Sequence, residues 1–166
     1  TGVHIFALPV CFNPSSEVSR FKRTGATAPF PVSRETFDVV WHAYQLSELT
    51  GGALDVTVGP LVNAWGFGPI EPESLPPDAA LLARLRDHMG YSKLELDPVA
   101  STLRKTDPEL ECDLSAVAKG YGVDQVAVVL RDEGLTRFMV EVGGEIVADG
   151  LNQQGGRWRI AIERPV

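Results

Sequence analysis

The sequence predicts an α+β fold: a largely antiparallel sheet with packed helices. Three observations point there. Helical periodicity recurs in three separate stretches, around positions 34–50, 77–89 and 112–134. Between and after them, short strand-like runs come in pairs joined by Gly- or Pro-containing turns, so strands follow strands, unlike the strict alternation of a doubly wound sheet. The chain has 166 residues, 44% of them hydrophobic, with no repeat, low-complexity tract or linker. It therefore reads as a single domain over 1–166 with a real core.

The elements follow in order. Residues 3–10 are an apolar run that suits a strand, and "CFNPSS" is a turn because Asn13-Pro14 restricts the backbone. "RETFDVVWHAYQLSELT" is a helix. Ser33 caps it, Phe37, Val40, Trp41 and Tyr44 share a face, and Gly51-Gly52 stops it through the left-handed conformation glycine tolerates. Residues 71–78 form a proline-rich loop. A second helix starts near Pro77, with Leu81, Leu82, Leu85 and Met89 on one face and Gly90 as its stop. "KLELD" and "STLRK" are two strands turned at Pro98. A third helix is capped by Ser115 and stopped by Gly134. "RFMVEV", "EIVAD" and "RWRIAIE" are strands, with Gly143-Gly144 and "LNQQGG" between them.

Composition excludes several function classes. A net charge of −7 disfavours a nucleic-acid surface. No run of about 18 apolar residues is present to span a bilayer. Cys11 and Cys112 have no zinc or CxxC spacing, and sequence leaves their pairing open. Gly120-Tyr121-Gly122 lacks the third glycine of a dinucleotide fingerprint and lies within a helix. Neither GxxxxGK[ST] nor GxSxG occurs, and His4, His42 and His88 are scattered without ligand spacing.

Two constellations could carry chemistry. Asp113-Leu114-Ser115-Ala116-Val117-Ala118-Lys119 places a carboxylate before a helix start and a lysine about one turn inside. That pattern suits a phosphate at the helix N-terminus, or simply a capped helix with Lys119 in solvent. "GGALDVTVGPLVNAWGFGP" surrounds Asp55 with turn residues. Its glycines permit close approach to a ligand, while Asp55 and Thr57 could equally satisfy local backbone groups; Trp65 and Phe67 read as packing.

Taken together and in order, "TGGALDVTVGPLVNAWGFGP", "DLSAVAKGYGVDQVAVVL" and "VEVGGEIVADG" resemble the ApbE family of flavin transferases. "NPSSEVSRFKR" is similar to the family's early loop, and "RWRIAIERP" to the strand after its Gly-Gly hairpin. The resemblance implies an ApbE-like, T-fold-like core and a Mg²⁺-dependent enzyme that cleaves FAD, moves FMN onto a threonine of an acceptor protein and releases AMP. Some relatives instead hydrolyse FAD to FMN and AMP. By motif position Ala53, Leu54, Asp55, Asp113 and Lys119 would contact FAD, and Ala116 would give its carbonyl oxygen to Mg²⁺. Phe12 holds the place of a tyrosine near the flavin. Family members continue into an acidic C-terminal part with further Mg²⁺ ligands, so the chain reads as an internal part of the fold with weak or absent metal. Its opening at Thr1 is read as processing, a cloned fragment or missing upstream residues. The resemblance also implies the periplasmic side of the bacterial inner membrane.

Overall fold

The computed structural model describes residues 13–68 and 76–161. The expected strand at 3–10, Phe12 and Cys11 lie outside them, as does most of the 71–78 loop. The chain divides into two compact units, one ending at Ala118 and one running on from Lys119.

The first unit opens with α1 (Glu17–Arg23), capped by the Ser16 side chain. The early loop "NPSSEVSRFKR" is thus a turn followed by two helical turns. Its sequence hides this because only Val18 and Phe21 mark a helical face. Next come β1 (Phe30–Pro31) and α2 (Arg34–Leu49). Ser33 caps α2 as expected, accepting the Thr36 N–H. Glu17 ties the two helices together. Its carboxylate accepts from Ser33 N–H at 2.9 Å, Ser33 Oγ at 2.6 Å and Thr36 Oγ1 at 2.5 Å. Burial pushes the Glu17 carboxyl up, but these three donors, with Arg20, hold it below its ordinary value.

A third helix, α3 (Gly59–Ala64), lies inside the glycine-rich stretch, with Pro60 in its first turn. The packing role expected of Trp65 and Phe67 does not hold: they follow this short helix and are 44% and 83% exposed, while its buried positions are Gly59 and Ala64. The next helix, α4 (Ala79–Asp87), starts near Pro77 as expected and is capped by Asp78, whose side chain accepts the Leu81 N–H. A 3-10 turn, Tyr91–Lys93, leads into β2 (Leu94–Asp97) and β3 (Thr102–Lys105). The three strands pair antiparallel in the order β1-β3-β2, with Leu96 opposite Leu103 and Phe30 on its other side.

The first unit's core is Val18 and Phe21 from α1, Phe37, Val39, Val40 and Ala43 from α2, and Val56, Leu94, Leu103, Leu110 and Leu114. Lys105 is buried among them. Its ammonium donates to the Lys22 and Leu110 carbonyls and faces the Phe21 ring at 5.5 Å. Burial pushes it below its ordinary value against the pull of Glu111 and Asp107.

The second unit consists of α5 (Ala118–Asp132), β4 (Phe138–Val142) and β5 (Glu145–Asp149). The helix begins three residues after the expected cap, because Asp113, not Ser115, organises the turn before it. It ends at Gly134 as expected, with Gly134 N–H on Arg131 and Leu135 N–H on Leu130, a Schellman stop at φ +78°. The β4–β5 hairpin turns at Gly143-Gly144, and Arg131 pairs with Asp149 at 2.8 Å. The strand expected at "RWRIAIE" is not seen in its described part, 157–161; there Asn152 Nδ2 of the preceding loop donates to the Arg157 carbonyl and Trp158 Nε1 to the Asp149 carbonyl at the end of β5. Helices with antiparallel sheets bear out the expected α+β class.

Candidate functional site

The glycine-rich loop is built by the end of α2. Gly51 and Gly52 have φ of +60° and +84°. Their N–H groups bond the Glu48 and Ser47 carbonyls, which satisfies two orphan acceptors of the helix. Thr50 Oγ1 accepts from Leu54 N–H at 3.1 Å, so the chain folds back over the helix end. This leaves Ala53 exposed and Leu54 half-buried at the rim.

Asp55 is held from within. Oδ1 accepts Thr57 N–H at 2.8 Å and Thr57 Oγ1 at 2.7 Å; Oδ2 accepts Tyr91 N–H at 3.2 Å. Thr57 is fully buried, and its Oγ1 accepts Gly90 N–H at 2.7 Å. The Asp55 carboxylate thus braces the loop, through Thr57 and the distant Tyr91 amide, and leaves Ala53 and Leu54 at the rim.

The second constellation docks on the first. Asp113 N–H donates to the Val56 carbonyl at 2.6 Å. Gly59 packs directly on Asp113, and a Cβ there would lie 3.3 Å from Asp113 Cβ. Asp113 Oδ1 accepts Ser115 N–H at 2.8 Å, an Asx turn that delays α5. Ala116 is exposed in the 115–117 turn. One backbone oxygen is the right kind of donor for a hard cation. Among the described residues no group of three His, Cys, Asp or Glu stands ready to hold a metal.

Lys119 belongs to the second unit. Its Nζ donates to the Gly143 carbonyl at 3.1 Å and lies 3.8 Å from Glu145. Gly143, at φ +57°, leaves room for the lysine: a Cβ there would come within 3.1 Å of Lys119 Cδ. So the structure brings Asp55 and Asp113 loops together in one unit and sets Lys119 on the Gly-Gly hairpin in the other. Sequence reasoning missed Gly90, Tyr91 and Gly143 as partners. Only the third motif, "VEVGGEIVADG", signalled the hairpin.

The comparisons with known proteins match these same segments. The pattern of the ApbE family covers residues 10–166. The chain belongs to the ApbE family. It is 51% identical over 155 residues to an FAD:protein FMN transferase of Vibrio cholerae, covering 93% of this chain and 46% of that protein. With the Escherichia coli K12 protein of the same name it shares 35% over 156 residues, 93% of this chain and 44% of the relative. Among solved structures, the flavin transferase ApbE of Vibrio cholerae superposes with a TM-score of 0.90 at 46% identity, covering 97% of this chain and 52% of that one. The flavinyl transferase ApbE of Pseudomonas stutzeri gives 0.81 at 35%, covering 90% and 49%. The chain thus spans about half the length of the relatives it matches. Among the described residues no helix is long and apolar enough to cross a membrane.

Proposed function

We propose that this chain is the flavin-binding part of an FAD:protein FMN transferase. The reaction is Mg²⁺-dependent transfer of FMN from FAD to a threonine hydroxyl of an acceptor protein, releasing AMP. The observation that carries this reading is the Asp113 N–H bond to the Val56 carbonyl. It sets two motifs side by side in a chain that is 51% identical to a relative named for this activity.

The residues divide the work as follows. Asp55 fixes the loop so that Ala53 and Leu54 meet the flavin nucleotide. By motif position Asp113 and Lys119 are each assigned to its polar part, Lys119 as a point charge suited to phosphate. Phe12 offers an aromatic face to the ring system. Ala116 supplies a carbonyl oxygen to Mg²⁺, a donor that fits in kind. When bound, the cation supplies charge neutralisation for pyrophosphate cleavage. The transfer breaks the pyrophosphate P–O bond and forms a phosphoester to the threonine oxygen, whose proton ends in solvent or on AMP. We read the chain as part of one ApbE-like domain, acting on the periplasmic side of a bacterial inner membrane.

Titration with FAD, with and without Mg²⁺, tests the reading. Asp113→Ala is expected to weaken FAD binding without unfolding the protein, and no FAD binding by the unaltered chain sinks it. A mass gain equal to FMN on a threonine-bearing acceptor supports transfer, whereas release of FMN and AMP without acceptor supports an FAD pyrophosphatase. Because the chain spans about half of its relatives, flavin binding without turnover is the second reading.

A further inference from the structure

One dipeptide, Gly90-Tyr91, holds the flavin loop at three points. Gly90 N–H donates to Thr57 Oγ1 and Tyr91 N–H to Asp55 Oδ2. The Tyr91 ring lies against Gly52, where a Cβ would sit 3.4 Å from Cε1, and meets the Tyr44 ring edge-on at 5.8 Å. Yet the dipeptide is not stiff by itself. Gly90 adopts φ +126°, and glycine has the widest backbone freedom of any residue.

Two anchors flank it, and both converge on Asp107. On one side His88 Nδ1 lies 3.1 and 3.0 Å from the two Asp107 oxygens. On the other, Lys93 Nζ lies 3.3 Å from Oδ2 and also donates to the Asp87 carbonyl. Asp107 is itself fixed, because Oδ1 accepts Glu109 N–H at 3.0 Å, and Glu109 Oε2 lies 3.6 Å from His88 Nε2. Thr106 N–H donates to the Lys93 carbonyl at 2.9 Å, joining the turn to the end of β3. We propose that His88 and Asp107 are positioning residues for the Asp55 loop: they clamp the 88–93 turn, which holds the Gly90 and Tyr91 amides against Thr57 and Asp55. Burial raises the Asp107 carboxyl, and the Glu109, His88 and Lys93 donors together bring it below its ordinary value, as such a clamp requires.

The functional part of this inference rests on the flavin reading above, but its structural part does not. The test uses His88→Gln, Asp107→Asn and Asp107→Glu, the last of which keeps the carboxylate. Amide hydrogen exchange is measured at Gly90 and Tyr91 and across β2–β3, alongside FAD titration. His88→Gln and Asp107→Asn are expected to speed exchange at Gly90 and Tyr91 about tenfold while the sheet amides stay unchanged. FAD dissociation constants are expected to rise about fivefold, with partial recovery in Asp107→Glu. Unchanged exchange at the two amides overturns the clamp, and so does equal acceleration throughout the sheet, which would mark general destabilisation. Accelerated amides with unaltered FAD affinity overturn the positioning role. If the unaltered chain binds no FAD, the flavin reading falls, and the exchange rates alone decide the clamp.

Discussion

The Asp55 loop and the Lys119 hairpin carry motifs of equal prominence in the sequence, yet the fold treats them in opposite ways. Around Asp55 every strong polar group is used internally: three donors reach the carboxylate, and Thr57 is buried with its hydroxyl both donating and accepting. Around Lys119 the side chains of the lysine and Glu145 are both about half exposed, at 52% and 50%, and the lysine's partner is a turn carbonyl. The first site is part of what keeps the chain folded. The second is an ammonium kept at the surface, able to leave its partner at little cost. Substitutions should therefore separate stability from ligand affinity between the two regions.

The largest effect is expected at Asp55→Ala. It leaves the Thr57 N–H, the Thr57 hydroxyl proton and the Tyr91 N–H without their acceptor, while the hydroxyl oxygen still accepts from Gly90, and should cost about 3 kcal/mol in urea unfolding. A change below about 1 kcal/mol would erase the contrast between the regions. Glu17→Gln comes next, since it weakens charge-assisted bonds to Ser33 and Thr36 and should cost about 2 kcal/mol at neutral pH. Because the folded Glu17 carboxyl is held below its ordinary value of 4.5, its contribution is complete above that pH and lost as pH falls through the lower folded value. Stability measured against pH should show wild type and Glu17→Gln converging in acid. In the second unit Gly143→Ala forces a Cβ into the left-handed region and toward Lys119, for about 1 kcal/mol. Lys119→Met is the smallest, within about 0.5 kcal/mol of wild type by thermal melt. It should nonetheless weaken FAD binding. A strong loss of stability there, with unaltered FAD affinity, would reverse the comparison.

Much of this was legible from residues. The Ser33 cap and the Gly51-Gly52 stop of α2, the Gly134 stop of α5 and the Gly143-Gly144 hairpin all depend on local backbone chemistry, which sequence displays directly. The order of the motifs likewise displayed the family. What remained hidden depends on distance or on competition. Two-turn helices such as α1 and α3 bury too few side chains to show a period. The start of α5 was misplaced because Asp113 accepts the Ser115 N–H, so two plausible capping residues competed and the earlier one formed a turn. The residues alone left Asp55 open between ligand and brace, and the resemblance put it on the ligand; the full brace was hidden because one donor, Tyr91, lies in another element.

The bond from Asp113 to Val56 has a kinetic side. It joins positions far apart along the chain, with α3, α4 and the β2–β3 pair between them. Closing so long a loop carries an entropic penalty that is recovered only once the intervening elements have packed. The Asp55 loop is only partly local: a peptide covering residues 50–60 keeps the Asp55–Thr57 bonds but lacks the Gly90 and Tyr91 donors and the helix carbonyls that Gly51 and Gly52 bond. The Asp113–Val56 bond should therefore form late in refolding, after the helical signal, once the elements between the two positions have packed.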